Sequence, residues 1–554
     1  MPFELDKFQD AAVSADYLTY LVDRRWPDVQ ARHNRLWNYF RNPLVPAVGA
    51  VGGALNINSR PYVQAQEVGL PARITGMSHS QTGSQPMTDV QRKEVVIEND
   101  IAWRVNTMVD FLFGRAVTIR SLAGRPDQAA AINSVVSAMF AANGGIAFFQ
   151  ELALLGAVYG FVDIALRVPA DQPVGRFSRL SRPSVVPATD PSSAQVAGRP
   201  DLNGKGDDEQ PNQQAAADSG RTEGGPTRPN MLARAIAMAQ ALQLETVEAP
   251  RVLPVLDDND YHRTRLWVQK YYRQSTHISA AKHPLLRWGR AGRSAGSPAA
   301  VEVVEIISPA WWQRYEDRHL TAEGPNPLGQ LPIVHVVNSS LPGCYDGLSE
   351  IEQLIPLQDE LNTRLSDRAN RVTYQSFKMY LGKGIDDFLD RPVGPGQMWA
   401  THNLDASIEE FGSDTGSPSE DAHIEQVRQA MDKVSGVTPL AAGLVRGNVG
   451  NLTSGTALRV VLSGLLARTD KKRLSFGEGL KQIVSLALAW LDHVGALRTS
   501  PADRQVAIDW PDPIPADQSV QLQNARIKAE LGVPVERILA ELGYESAPIG
   551  NGSN

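Results

Sequence analysis

The chain has 554 residues, of which 42% are hydrophobic and 21% charged, with a formal net charge of −7. That length holds more than one core, so two to four structural units with an ordinary soluble balance are expected. The single cysteine, Cys344, excludes an internal disulfide and any multi-cysteine metal site, and the negative balance argues against tight, sequence-independent nucleic-acid binding, which Lys and Arg drive by neutralising phosphates.

No apolar run reaches the roughly 18 residues that span a bilayer. The start, Met1-Pro2-Phe3-Glu4-Leu5-Asp6, has no basic region followed by an apolar stretch, so no secretory signal is expected.

Residues 1–60 read as helical and loosely packed, with an aromatic-rich helix end (Leu36, Trp37, Tyr39, Phe40) stopped at Pro43. Residues 48–58 are small and Gly-rich, a loop or arm, and 62–74 an extended or short helical piece. Over 95–113, Val95, Ile101, Val105, Met108, Val109, Leu112 and Phe113 recur at helical spacing. Gly114 stops that helix and 115–119 reads as a strand. Helices are expected over 126–142 and 146–159, separated by Asn143-Gly144-Gly145, with Pro126 at a first helical position where its missing N–H costs nothing. A strand follows at 161–168. Residues 170–229 are rich in Pro, Ser, Asp, Gly and Gln; they bury too little to offset their ordering entropy and read as a mobile surface insertion. A helix over 231–244 and strands over 265–272 and 301–307 come next. No internal repeat is visible.

The second half is mainly helical. A strand at 328–338 and a Gly-rich turn lead to a helix over 349–374 with Ile351, Leu354, Ile355, Leu361, Leu365 and Val372 on one side; Pro356 predicts a kink or a late start. Residues 378–411 form a small Gly/Pro-punctuated unit with short strands. A helix over 419–434 opens at Ser419, a plausible cap after Pro418. Residues 439–453 are a loop holding Gly443, Gly447 and Gly450. From 454 to about 494 runs a very long helix, roughly 60 Å at 1.5 Å per residue, with Gly464, Gly477 and Gly479 as candidate kinks.

No enzyme motif survives inspection. Gly204-Lys205-Gly206 lacks the strand and helix of a phosphate loop. No His-Glu-x-x-His is present, and the ten histidines have no ligand spacing. Asp386-Asp387 and Glu409-Glu410 read as solvated acidic surface. Cys344 has no adjacent His or Asp to activate it. No catalytic, metal or cofactor-binding residue, and no cofactor, is therefore expected.

Four segments carry a resemblance. The first is 328–384, from Leu328-Gly329-Gln330-Leu331-Pro332-Ile333-Val334-His335 through the 349–374 helix to Phe377-Lys378-Met379-Tyr380-Leu381-Gly382-Lys383-Gly384. The second is 99–119, an Asn-bearing helix ending in Val109-Asp110-Phe111-Leu112-Phe113-Gly114-Arg115 before a strand. The third is 440–458, a glycine-punctuated loop running into Asn451-Leu452-Thr453-Ser454-Gly455-Thr456-Ala457-Leu458. The fourth is Ile508-Asp509-Trp510-Pro511-Asp512-Pro513, then a helix and Leu531-Gly532-Val533-Pro534, where Pro534 stands in place of a frequent Ser. Taken in chain order, from about Asn99 to Leu539, they resemble portal proteins of tailed double-stranded-DNA bacteriophages.

The resemblance implies a mainly α chain with an α+β wing and a small β-containing clip, assembled as a ring of normally twelve copies at one capsid vertex. The implied units are a wing (1–345, holding the insertion), a first stem helix (346–375), a clip (376–418), a second stem helix (419–439), a tunnel loop (440–453), a long kinked wing helix (454–494) and a crown (495–554). It implies a conduit for DNA in packaging and ejection, with no catalysis. Val445, Arg446, Asn448 and Asn451 would face DNA from the tunnel loop, while Ile351, Leu354, Leu361 and Leu365 would pack the stem. Arg459, Arg468, Lys471, Lys472 and Arg473 would form either a solvated or inter-subunit face or a non-specific DNA contact. Implied partners are other copies of the chain, the terminase large subunit, head–tail adaptor or neck proteins, major capsid and scaffolding proteins, and transiently bound double-stranded DNA, with no membrane. The expected location is the virion, with the host cytoplasm during assembly. Two other classes stay open: a nucleic-acid-processing enzyme subunit, which needs a carboxylate metal site or phosphate loop, and a non-ring minor capsid or scaffold protein.

Overall fold

The computed structural model describes residues 3–8, 12–46, 62–80, 83–86, 94–168, 228–274, 300–376, 379–383, 405–411, 418–443, 455–514 and 518–542. The expected insertion, except for its last two residues, lies outside these, as do the loop at 48–58, Gly204-Lys205-Gly206 and all of 384–404, with Asp386-Asp387.

Helix α1 (Ala15–Tyr20) is capped by Ser14, whose hydroxyl accepts the Tyr17 N–H at 3.2 Å. It passes through a π turn (Leu21–Arg25) into α2 (Trp26–Arg41), which ends at Asn42 in a left-handed conformation just before Pro43. This region is better packed than the sequence suggests: Leu18, Val22, Leu36 and Tyr39 are buried. Strand β1 (Leu44–Pro46) pairs antiparallel with β2 (Tyr62–Gln64). After α3 (Ala72–Thr75), β3 (Met77–Ser80) and β4 (Gly83–Pro86) form a hairpin.

Helix α4 (Asp100–Phe113) is capped by Asn99, and β5 (Thr118–Ser121) follows. Helices α5 (Pro126–Ala142) and α6 (Ile146–Tyr159) fall where the sequence puts them. The α6 helix is apolar nearly all round, with Phe148, Phe149, Leu152, Leu155, Val158 and Tyr159 buried, and β6 (Phe161–Arg167) is buried at every position. A helix or strand without a polar face belongs inside a core. Among the described residues no single helix is long and apolar enough to cross a membrane.

The expected helix over 231–244 divides: α7 (Arg228–Ala241) stops, and β7 (Gln243–Glu248) pairs with β6. Strand pairing with an existing core strand overrides the helical preference of an Ala-rich run. Strands β8 (Val255–Leu256), β9 (Thr264–Gln274), β10 (Ala300–Ile307), β11 (Trp311–Glu316) and β12 (His319–Pro325) make an antiparallel sheet in the order β12-β11-β10-β9-β8. Strand β13 (Ile333–Val337) joins the other edge of β6, giving the order β13-β6-β7.

Helix α8 (Ile355–Ser376) starts late, as Pro356 implies; residues 351–354 are turns. Strands β14 (Met379–Lys383) and β15 (Ser407–Phe411) pair antiparallel between α8 and α9 (Pro418–Ser435). The long helix breaks at Leu462 into α10 (Gly455–Val461) and α11 (Ser463–His493), beside Gly464. Gly477 and Gly479 do not kink α11. Gly479 allows close packing: a Cβ on it would lie 2.5 Å from Val336 Cγ2. Strand β16 (Val506–Asp509) pairs with β5, tying the C-terminal region back to the N-terminal half, and α12 (Gln518–Glu530) and α13 (Val535–Glu541) follow. The main core joins α4, α5, α6, β6, β13, α8, α9 and α11.

Candidate functional site

The segment resembling a stem is held by polar groups at a regular spacing. Gln358, Asn362, Ser366 and Asn370 lie four residues apart on α8 and are all buried. They bond alternate backbone groups of residues 94–98. Asn370 Nδ2 donates to Glu94 O (3.0 Å) and its Oδ1 accepts Glu94 N–H (2.9 Å). Ser366 Oγ accepts Val96 N–H (3.0 Å). Asn362 Oδ1 accepts Glu98 N–H (3.2 Å), and Gln358 Nε2 donates to Glu98 O (2.5 Å). Four helical residues rise about 6.0 Å and two extended residues about 6.6 Å, so the two repeats stay in step over several rungs. Asn362 also donates to Gln66 Oε1 (2.9 Å), and Gln66 reaches Tyr39 O (2.7 Å) and Asn99 Oδ1 (2.9 Å), carrying the network to α2 and α4.

On its other side α8 is laced to α9. Arg368 pairs with Asp421 at 2.9 Å, and Arg371 pairs with Glu420. His423 lies 3.0 Å from Glu360, which also accepts from Arg364 at 2.7 Å. Burial pushes the Glu360 carboxyl up, but the bonds from His423 and Arg364 outweigh it and hold the group below its ordinary range.

At its far end α9 meets α4 and α11. Arg104 of α4 donates to Val437 O (2.7 Å) and Ser435 Oγ (3.1 Å) and pairs with Asp432 (2.7 Å). Arg468 donates to Ser435 O (2.6 Å) and Val434 O (2.8 Å). Lys472, one turn on, pairs with Glu350 Oε1 at 2.8 Å, and Asn338 Nδ2 donates to the same carboxylate at 3.1 Å. Burial pushes Glu350 up, yet Lys472, Asn338 and Arg468 together hold it below the usual carboxylate range. Val437, Met108 and Leu465, all buried, seal this corner with Trp103, Phe111 and Ala441 packed around them.

The five basic residues singled out in the sequence thus occupy different surroundings. Arg459 pairs with Asp512. Arg468 caps α9, and Lys472 is buried against Glu350. Arg473 pairs with Asp470 (3.3 Å), donates to Pro511 O (2.8 Å) and lies over the Trp510 ring. Lys471 is exposed. Ile351, Leu354 and Leu361 are fully buried in the chain's own core, and Leu365 packs against it half-buried. Val445, Arg446, Asn448 and Asn451 lie outside the described residues. Sequence reasoning missed Glu350, Arg104 and the ladder; the four-residue spacing of Gln358, Asn362, Ser366 and Asn370, beside the leucine stripe, was a signal that could have found the ladder. Among the described residues no group of His, Cys, Asp or Glu could hold a metal ion.

A strand-fed helix, a small β unit, a second helix tied to the first, and a long helix further along the chain make head–tail connector subunits the class to compare with. The model of the phage portal protein family, SPP1 Gp6-like, matches residues 243–543, more than half of the chain, and the protein belongs to that family. Among solved structures, a chain from the neck of an empty GTA particle shows 12% identity and a TM-score of 0.41, covering 81% of this chain and 91% of that one. A chain from the virion of a native gene transfer agent particle shows 11% identity and a TM-score of 0.34, covering 80% and 100%. No curated protein sequence matches the chain.

Proposed function

We propose that the protein forms a closed ring at one capsid vertex, the passage for double-stranded DNA into and out of the particle and the docking site for the packaging motor and neck proteins. The observation that carries this reading is the family match over 243–543, which takes in α8, β14, β15, α9, α10 and α11 in order. In this reading α8 and α9 are the stem helices, β14–β15 belongs to the clip, and residues 440–453 are the tunnel loop. The work is mechanical. A chain of net charge −7 suits it, because a conduit that held phosphates firmly would resist sliding.

Arg446 is the one charged residue in 440–453. Repeated around a ring, it supplies a single basic collar whose contacts with passing phosphates are sequence-independent and weakened by salt. The test is packaged DNA per particle in an in-vitro packaging reaction. Arg446→Ala is expected to leave rings intact and lower the yield, and Arg446→Glu to lower it further. Wild-type yield from Arg446→Glu rings would remove this loop from the DNA path. A nucleotide-hydrolysis assay on the pure protein addresses the enzyme alternative, with no turnover expected.

A further inference from the structure

The C-terminal end of α9 is gripped from two sides by guanidinium groups of different helices. Arg468 of α11 takes the carbonyls of Val434 and Ser435 at 2.8 and 2.6 Å. Arg104 of α4, 1% exposed, takes Val437 O at 2.7 Å and Ser435 Oγ at 3.1 Å, and pairs with Asp432 and Asp100 at 2.7 and 3.4 Å. The last carbonyls of a helix have no partner within it, and cations are favoured there by the helix dipole. The grip is close. Gly436 has φ +69, and a Cβ on it would lie 2.9 Å from Arg468 Nε. Because Arg468 holds backbone atoms on the helix axis, it follows α9 itself rather than one flexible side chain.

The rest of α9 packs chiefly on α8. Its further tie is Arg428 to Glu98 at 2.5 Å. Arg468 is thus a direct polar link from α9 to α11. One turn further along α11, Lys472 fixes that helix to Glu350, just before α8.

We propose that Arg468 and Arg104 form a coupling clamp, which passes a displacement of α9 to α11, so that α9, which precedes the 440–453 segment, and α11, which follows it beyond α10, move together. This rests on the portal reading for its purpose, since that segment is the proposed tunnel loop, but the coupling is measurable in the purified protein by itself. Arg468 is a positioning residue: it acts through the helices it joins.

The experiment loosens α9 far from the clamp and asks whether α11 feels it. Glu420→Gln with Asp421→Asn removes the acidic partners of Arg371 and Arg368 in the first turn of α9. Amide hydrogen exchange is then read along 418–435 and along 463–472, with Arg468 present and in Arg468→Gln. With Arg468 present, the loosening is expected to speed exchange in both segments, by about tenfold in 463–472, the scale of one charge-assisted bond. In Arg468→Gln it is expected to speed exchange in 418–435 only. Arg468→Lys, which keeps the charge but loses the fork, should restore part of the spread. Equal spread in the Arg468 and Arg468→Gln proteins, or no response of 463–472 in either, overturns the clamp. Light scattering on the same samples reports the ring separately: rings without coupling refute the clamp alone, and coupling without rings refutes the portal reading alone.

Discussion

Helices α6 and α8 stand close in the same core and are held in opposite ways. The α6 helix is apolar but for Gln150 and Glu151; with β6 it is sealed by apolar burial, Phe148, Phe149, Leu152 and Val158 against Phe161, Val162 and Ile164. The α8 helix contributes Leu361 and its neighbours to that core, but four buried polar side chains fix it to residues 94–98 and a row of arginines ties it to α9. Apolar burial is non-directional and gives stability without choosing a register. A ladder of hydrogen bonds does choose one, because a slip leaves buried groups unpaired. The α6–β6 layer is thus built to be stable, and α8 to be placed.

The sharpest way to break this contrast is Leu361→Asp. Leu361 is fully buried within the chain, so the variant puts a carboxylate into the core at a cost of several kcal/mol. Loss of helical circular dichroism, and not merely of rings, is expected; full helicity in isolated subunits would move Leu361 from the core to a surface between copies.

The second test falls on the apolar side. His33 of α2 donates to Val29 O at 2.8 Å and packs edge-on against Tyr159 and Phe161. Burial is the main cause that pulls its pKa from 6.5 to about 4. The folded state resists a proton that the unfolded chain accepts. Its neutrality therefore favours folding above pH 6.5, and that contribution is lost as pH falls from 6.5 towards 4, by roughly 3 kcal/mol in all. Thermal melts over this range should drop more steeply for the parent than for His33→Gln; parallel curves would contradict a buried neutral ring.

Asn362→Leu addresses the ladder. It leaves the Glu98 N–H and the Gln66 carbonyl without their partner, at about 1–3 kcal/mol. Faster amide exchange at 94–98 than elsewhere is the expected signature, and uniform exchange would show that the ladder sets no register. The smallest effect belongs to Arg368→Ala. Both groups of its pair with Asp421 are about half exposed, so a denaturation midpoint should move by under about 1 kcal/mol; a larger loss would mean that the lacing between α8 and α9 holds the fold itself.

Much of the helical frame was legible because its punctuation is local: Pro126 and Gly144-Gly145 bound α5 and α6, and Pro356 marks the late start of α8. The β11–β12 hairpin was not. Its turn runs through Asp317 and Arg318, both at positive φ without a glycine, and β11 is buried along four consecutive residues instead of alternating. Strand β7 was hidden because its partner β6 decides it, some eighty residues away. The charged corner was equally hidden. Lys472 read as surface because Glu350, the group that makes its burial tolerable, is remote in the chain. The resembling segments at 328–384, 440–458 and 508–534, by contrast, fall within the family match over 243–543, since a sequence pattern needs no knowledge of contacts.

The central claim is assembly. Purified protein viewed by electron microscopy, with its mass taken by light scattering, tests it most directly. The account predicts closed rings with a central opening, of about 720 kDa for twelve copies of a 60.3 kDa chain. A homogeneous 60.3 kDa particle with no ring at any concentration, although its α8 and α9 are folded, would contradict it.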